Sequence, residues 1–336
     1  GMGQRKDQDE LEAMVGIDDA KKFWQIDCDL TDGEMHVAHK EKYAQELWDY
    51  SEHLATHYGY TKQENLTADE VADRLGNRVF FGGNLDKSSA HIHPLNLSLG
   101  LAKAATAAGV RIFEHSRVLS INHPATDKVI ATTADGSIEA KFLVLACNGY
   151  LGALDDAASY YQMPINNFIL ATEPLGAARA STINRDNVAV VDSRFVVNYF
   201  HNSPDHRLIF GGGENYTPFF PKDLKGFVRK YMLEVYPSLD DVKIDYAWGG
   251  TLAVTMRRMP HFGRKGTNIY WAQGYSGHGI AMANMGGKLV AEAIAGQAER
   301  FDLFANLKHF PFPGGRLLRW PGLVAGMLYY SLLDKF

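Results

Sequence analysis

The sequence predicts an α/β (α+β) protein of two lobes, one with a mixed sheet and helices and one built on an antiparallel sheet. Three observations lead there. The chain has 336 residues, and at roughly 150 residues per domain that means two domains or one large two-lobed one. From His91 the pattern alternates helix and strand, as α/β layers do. From about Pro164 to Val254 it reads as mostly strands with one helix, about Lys222 to Tyr236.

The elements follow in order. Asp7 to Ile17 carries Leu11, Met14 and Val15 at helical spacing, and Val37 to Tyr58 places Tyr43, Leu47, Tyr50 and Leu54 on one face. Thr67 opens another helix with Glu70 at the capping-box position. Pro94 suits a first helical turn, and Leu97, Leu101, Ala104, Ala105 and Ala108 continue it until Gly109 ends it. Val110 to Phe113, Arg117 to Ile121, Val129 to Thr133 and Ser137 to Leu145 read as strands, with Asp135-Gly136 as a hairpin turn between the last two. Phe142 to Ala146 is continuously apolar, the pattern of a strand buried on both faces. Asn268 to Ala272, the loop Gly274 to Gly279, and Ile280 to Gly296 form a strand–loop–helix unit.

Composition excludes several classes. Lys plus Arg is 34 and Asp plus Glu is 39, for a formal charge of −5, which argues against a nucleic-acid partner. Cys28 and Cys147 are too few for a disulfide framework or a four-cysteine zinc site and fit a reducing, cytoplasmic setting. No stretch approaches the roughly 20 apolar residues of a membrane span. Gly1 ahead of Met2 reads as a tag scar, and the start has no apolar core of a signal peptide. The tail Pro313 to Phe336 is amphipathic and reads as a packing surface.

The loop Gly274-Tyr275-Ser276-Gly277-His278-Gly279 is the sharpest local motif. Its three glycines let backbone N–H groups approach a ligand, and the helix it opens favours negative charge or an electron-rich oxygen. A phosphate, a carboxylate, a ring carbonyl or no ligand at all fits that pattern. No G-x-G-x-x-G, Walker A lysine, H-E-x-x-H, C-x-x-C or G-x-S-x-G occurs. His91 and His93 share one side of an extended segment but lack an obvious third ligand, so no metal site is expected. Cys147 ends a strand without a nearby histidine and reads as a small structural thiol. Arg257-Arg258 reads as surface.

Taken together, Trp248-Gly249-Gly250-Thr251, Arg258-Met259-Pro260-His261-Phe262-Gly263 and Ala272 to Gly279 resemble the FAD-dependent amine and amino-acid oxidoreductases. This is the D-amino-acid oxidase, glycine oxidase and sarcosine oxidase superfamily, and the resemblance is strongest to its gamma-glutamylputrescine oxidoreductase branch. His93-Pro94, Gly109 to Glu114, Ala171 to Leu175 and Phe210 to Glu214 extend it across the chain. The resemblance implies a discontinuous FAD lobe over 3–160 and 255–336 and an antiparallel substrate lobe over 161–254. It places Val118 by the adenine, Ala146 to Gly149 by the dinucleotide, and Gly274, Tyr275, Ser276, Gly277, His278, Gly279 and Ile280 at the flavin ring. Tyr199, Trp248, Thr251 and Leu252 would line the substrate. The implied chemistry is hydride transfer from a C–H beside a neutral amine nitrogen to flavin N5, with no obligatory acid–base residue among those named.

Two departures from the family pattern qualify this. The usual opening strand–G-x-G-x-x-G–helix and a second glycine-rich run are not in the sequence, so a truncated FAD-binding lobe with weakened FAD affinity, and an inactive chain, is the expectation. A natural short form, a fragment and a misassigned start all give this pattern. Glycine- and amino-acid-oxidising members carry a carboxylate-gripping arginine where this chain has Leu252, which favours an amine over an α-amino acid. No cysteine lies near Pro260, so FAD would be non-covalent. A non-catalytic flavoprotein module that binds a small molecule or a partner chain is the alternative, and self-association into a homo-oligomer would cover exposed sheet edges.

Overall fold

The structure is a computed structural model, and it describes residues 26–215, 219–313, 318, 319, 321, 322, 324 and 325. The helix expected over Asp7 to Ile17 and most of the tail lie outside these. In chain order the elements are β1 (Thr31–Val37), α1 (Glu41–Tyr58), β2 (Gln63–Thr67), α2 (Ala68–Leu75), β3 (Gly82–His91), α3 (Pro94–Ala107), β4 (Ser120–Ala125), β5 (Lys128–Thr132), β6 (Ser137–Ala140) and β7 (Leu143–Leu145). Then come α4 (Asp156–Ser159), β8 (Met163–Thr172), α5 (Ala177–Ile183), β9 (Ala189–Asp192), β10 (Tyr199–Asn202), β11 (Leu208–Asn215), α6 (Leu224–Val235), β12 (Ile244–Val254), β13 (His261–Lys265), β14 (Ile269–Gln273), α7 (Gly279–Ile294) and α8 (Glu299–Ala305). Mixed and antiparallel sheets with helices give the α/β class that the sequence predicts.

The chain divides into two compact units. The first comprises residue 26, 98–165 and the described residues of 251–325. Here β7 pairs in parallel with β14, which pairs antiparallel with β13, while β4, β5 and β6 form an antiparallel meander. Met282, Met285, Leu289, Val290 and Ala293 of α7 bury against Phe262, Tyr270 and Phe301. Each such Met, Leu, Val or Phe side chain contributes about 1.5–3 kcal/mol on burial.

The second unit comprises 27–97 and the described residues of 166–250. It holds an eight-stranded sheet in the order β12-β8-β11-β10-β9-β1-β3-β2. Its core joins Phe168, Leu170, Phe200, Leu208 and Phe210 to Val228, Met232 and Val235 of α6. The region 31–91, which reads as helices in the sequence, also supplies three strands. In β1 only Met35 and Val37 bury apolar side chains, so the period-two signal is short.

Local signals explain several boundaries. Thr67 and Glu70 form the reciprocal capping box: Glu70 Oε2 accepts from the Thr67 N–H at 2.8 Å, and Thr67 Oγ1 accepts from the Glu70 N–H at 3.4 Å. Gly109 ends α3 at φ +91°, where the Val110 N–H donates back to Ala105 O. Asp135-Gly136 turns β5 into β6.

Four expectations are corrected. Val110 to Phe113 is not a strand: it finds no ladder partner among the described residues, and Val110, Ile112 and Phe113 are exposed. Ser137 to Leu145 is broken into β6 and β7, which belong to different sheets. Phe142 to Ala146 is not buried on both faces, since Phe142 and Val144 are exposed and β7 has one neighbour, β14, among the described residues. The long helix starts at Glu41 rather than Val37, which ends β1, and Tyr50 points outward. The face α1 buries runs through Ala44, Ser51 and Leu54, and Trp48 Nε1–H donates to Gly83 O at 3.0 Å.

Candidate functional site

Three segments of the first unit converge: a turn, a strand end and the glycine loop. One is the 3₁₀ turn Asn148–Tyr150 that follows β7. Asn148 sits at φ +46°, a left-handed conformation that Asn tolerates better than most residues. Its Oδ1 accepts from the Gly274 N–H at 3.0 Å, while Gln162 Nε2 donates to its carbonyl at 3.1 Å.

The second segment is the end of β12. The Tyr150 hydroxyl accepts from the Thr251 N–H at 2.9 Å. A Cβ on Gly149 would lie 2.4 Å from Thr251 O and 3.0 Å from the Leu252 carbonyl carbon. Gly149 is therefore required by backbone packing, whatever else meets it. Thr251 and Leu252 are both half-buried beside this turn.

The third segment is the loop itself. Gly274 (φ +69°), Ser276 (φ +53°) and Gly277 (φ +107°) all take left-handed conformations. Ser276 is held there because its N–H donates to Ala253 O at 3.0 Å and its Oγ accepts from the Thr255 N–H at 3.2 Å. Thr255 Oγ1 in turn donates to Met259 O at 2.8 Å. The loop is thus pinned from 148 on one side and 253–255 on the other. Tyr275 is buried, its hydroxyl donates to Ala272 O at 2.8 Å, and burial raises its pKa. Gly277 and His278 are exposed, a Cβ at 277 would meet open space, and Ile280 is also exposed.

The loop ends at α7. His278 occupies its N-cap position but makes no side-chain cap. The N–H groups of the first helical turn have no intrahelical acceptor by geometry, and they carry the positive end of the helix dipole. Gly279 begins the helix, so little side-chain bulk screens those donors.

The remaining sequence-chosen residues belong to other segments of the chain. Val118 is half-buried in the segment before β4. Ala146 is exposed between β7 and Cys147, whose thiol pKa is raised by burial. Tyr199 and Trp248 belong to the second unit, on β10 and β12. Trp248, Thr251 and Leu252 share strand β12.

The histidines have structural partners. His91 Nε2–H donates to Asn187 O at 2.8 Å, and its ring packs on His201 at 4.2 Å. Burial, with His91 nearby, lowers the His201 pKa to about 4. His93 Nδ1 accepts from the Asn96 N–H at 3.3 Å. Among the described residues no group of three His, Cys, Asp or Glu side chains could hold a metal ion. No helix among them is long and apolar enough to cross a membrane.

Tyr150 and Thr255 are site residues that sequence reasoning missed, while Asn148 fell within the range Ala146 to Gly149 without the bonding role it has here. The Asn-Gly pair at a strand end is the only local signal for Asn148.

A strand, a glycine loop and a bare helix start, in a chain with a second sheet-based unit, match the class of α/β proteins built to meet a nucleotide or ring cofactor at a helix start. The family comparison makes this specific. Residues 10–293 match the family model for FAD dependent oxidoreductases, DAO. The gamma-glutamylputrescine oxidoreductase of Escherichia coli (strain K12) is 40% identical over 315 residues, covering 94% of this chain and 73% of that protein. The glycine oxidase of Bacillus licheniformis is 28% identical over 76% of this chain and 69% of its own length. Among solved structures, glycine oxidase from Geobacillus kaustophilus superposes with a TM-score of 0.76 at 18% identity, covering 90% of this chain and 82% of that one. The chain belongs to the FAD dependent oxidoreductase family.

The family implies FAD, and the loop offers a physical test of fit. Open space at Gly277 and bare N–H groups at the first turn of α7 suit the electron-rich carbonyl edge of a flavin ring. Gly274 to Ile280 therefore fit that part of the cofactor.

Proposed function

We propose that this chain is an FAD-dependent amine oxidoreductase with a substrate resembling gamma-glutamylputrescine. The first unit would hold the flavin and the second would carry the substrate face. The observation that carries the reading is the uncapped start of α7 behind a loop pinned at both ends. Donors fixed in this way stabilise negative charge on a ring carbonyl without reorganising. When bound, FAD would supply the two-electron acceptor for a hydride leaving the carbon beside the amine nitrogen.

The protein's own contribution is positioning. Gly274 to Ile280 would hold the ring, with Val118, Ala146 and Gly149 towards the rest of the dinucleotide. Leu252 offers no guanidinium for a carboxylate, which supports an amine. Tyr199, Trp248 and Thr251 would line the substrate. Neither Cys28 nor Cys147 lies near Pro260, which supports non-covalent FAD, and two thiols outside any disulfide support a reducing, cytoplasmic setting.

The test is an absorbance spectrum of the purified chain with added FAD, then anaerobic addition of an amine. Shifted flavin bands that bleach with gamma-glutamylputrescine are expected. Flavin that binds but is not bleached by any amine sinks the substrate reading, and the absence of bound flavin sinks the enzyme reading.

A second reading, a non-catalytic module that binds a partner chain or a second copy, is favoured by one observation. Val110, Ile112, Phe113, Phe142 and Val144 of the first unit are exposed apolar side chains. Sedimentation of the chain as a monomer would count against it.

A further inference from the structure

Two buried carboxamides of the first unit have a role that the reading above leaves unassigned. Gln273 is the last residue of β14, directly ahead of Gly274, and it is fully buried. Its Nε2 donates to Ala158 O at 2.8 Å and lies 3.3 Å from His261 Nδ1. Gln162 is 3% exposed, and its Nε2 donates to Asn148 O at 3.1 Å. Asn148 Oδ1 in turn accepts from the Gly274 N–H. The short stretch 158–162 therefore grips the start of the glycine loop from two sides. One grip is on Gln273, next to Gly274, and the other is on Asn148, which is bonded to Gly274.

Each grip uses half of a carboxamide. Gln162 Oε1 and Gln273 Oε1 are fully buried and accept no hydrogen bond among the described residues. Turning either amide over gives no relief. Ala158 O and Asn148 O are acceptors, so an amide oxygen facing them would set lone pair against lone pair. The nitrogen must face the carbonyl, and the oxygen is stranded. A buried acceptor without a donor costs more than a typical hydrogen bond returns. At position 162 the structure does not need the bond to satisfy its acceptor, because Asn148 O also accepts from the Leu151 N–H at 3.2 Å. A methionine there would fill similar space and strand no oxygen. Packing and polar satisfaction thus favour an apolar residue at 162. What the glutamine adds is a second tether on the turn that carries Asn148.

We propose that Gln162 is a positioning residue for the flavin ring, holding Asn148 and through it Gly274, at a cost to the stability of the fold. The proposal rests on Gly274 to Ile280 being the flavin site. It names the residue outside that loop which keeps the loop in register.

The test uses the full chain and three variants: Gln162→Met, Asn148→Gly and the two combined. Asn148→Gly keeps the left-handed turn and deletes the acceptor of the Gly274 N–H. Without FAD, Gly274 amide exchange in Gln162→Met should be about tenfold faster, in line with one loosened hydrogen bond. Its urea midpoint should equal or exceed that of wild type. The double variant should exchange no faster than Asn148→Gly alone, because Gln162 acts through Asn148. With FAD added, the two-electron midpoint potential of the bound flavin should fall in Gln162→Met by about 30 mV, equivalent to a tenfold weaker hold on the reduced ring. A lowered urea midpoint in Gln162→Met would mark an ordinary structural glutamine and overturn the proposal. Unchanged Gly274 exchange, a double variant that adds to Asn148→Gly, or an unchanged potential would also overturn it, with the flavin reading left standing. If wild type binds no flavin, the flavin reading fails and takes the proposal with it.

Discussion

Replacing Gly149 with alanine tests the convergence of the 148–150 turn with the end of β12. The new methyl would sit 2.4 Å from Thr251 O, 2.9 Å from the Thr251 carbonyl carbon and 3.0 Å from that of Leu252. All three are backbone atoms of a strand and cannot swing aside as a side chain would. Overpacking of this kind costs about 1–3 kcal/mol. Separating the segments also loses the Tyr150–Thr251 bond, worth about 1 kcal/mol net. The stiffer unfolded chain returns about 0.4–1 kcal/mol. The net expectation is a loss of about 1–3.5 kcal/mol, or roughly 2–14 °C in Tm for a unit of this size. Gly152→Ala is the companion measurement. Gly152 has φ +62° with nothing within 4 Å of its Cβ, so it carries conformational strain alone, about 1–2 kcal/mol. Urea denaturation of both variants without added FAD gives the comparison. A Gly149→Ala protein within about 0.5 kcal/mol of wild type, the usual scatter of an inconsequential surface change, would refute the packing argument and leave cofactor contact as the reason for the glycine.

Three further outcomes are expected. Burial, with His309 nearby, lowers the His261 pKa to about 3. The unfolded chain takes up that proton near pH 6.5, so stability is present above about pH 6.5 and lost as pH falls toward 3. His261→Gln should flatten an acid denaturation curve over that window, and an unchanged slope would count against the assignment. Leu289→Ala, at a fully buried position in α7, should cost about 2–5 kcal/mol in urea denaturation. Thr67→Ala removes the acceptor of the α2 cap and should cost about 1 kcal/mol, seen as a small drop in thermal midpoint.

The legible parts of this fold are those whose physics is local. The Thr67–Glu70 cap, the Gly109 stop and the strand–glycine loop–helix unit at 269–294 each depend on neighbours in sequence, and each reads from it. The strands β1 to β3 do not. Their polar and apolar residues alternate over only a few positions, and their place is set by ladders to distant segments. The segment 110–113 shows the converse: β-branched and aromatic residues without a ladder partner among the described residues stay irregular. At the candidate site the loop was legible, while the bonds that pin it were not. Asn148 lies 126 residues from Gly274, and no periodicity announces that pairing.

The parallel pairing of β1 with β9 has a consequence for the order of folding. Where the two strands end, the His39 N–H donates to Ser193 Oγ across a separation of 154 residues. On a ribosome, β1, β2 and β3 emerge long before β9, the strand that joins them to the rest of the sheet. Until β9 arrives, the β1 edge that β9 will cover is unsatisfied, and Met35 and Val37 lack half their core. Closing so long a loop is slow because its entropy is lost before the contacts reward it. The nascent chain therefore passes through a long interval in which an incomplete sheet edge is exposed, and this is the stage at which a chaperone or a premature self-pairing would decide the yield of folded protein.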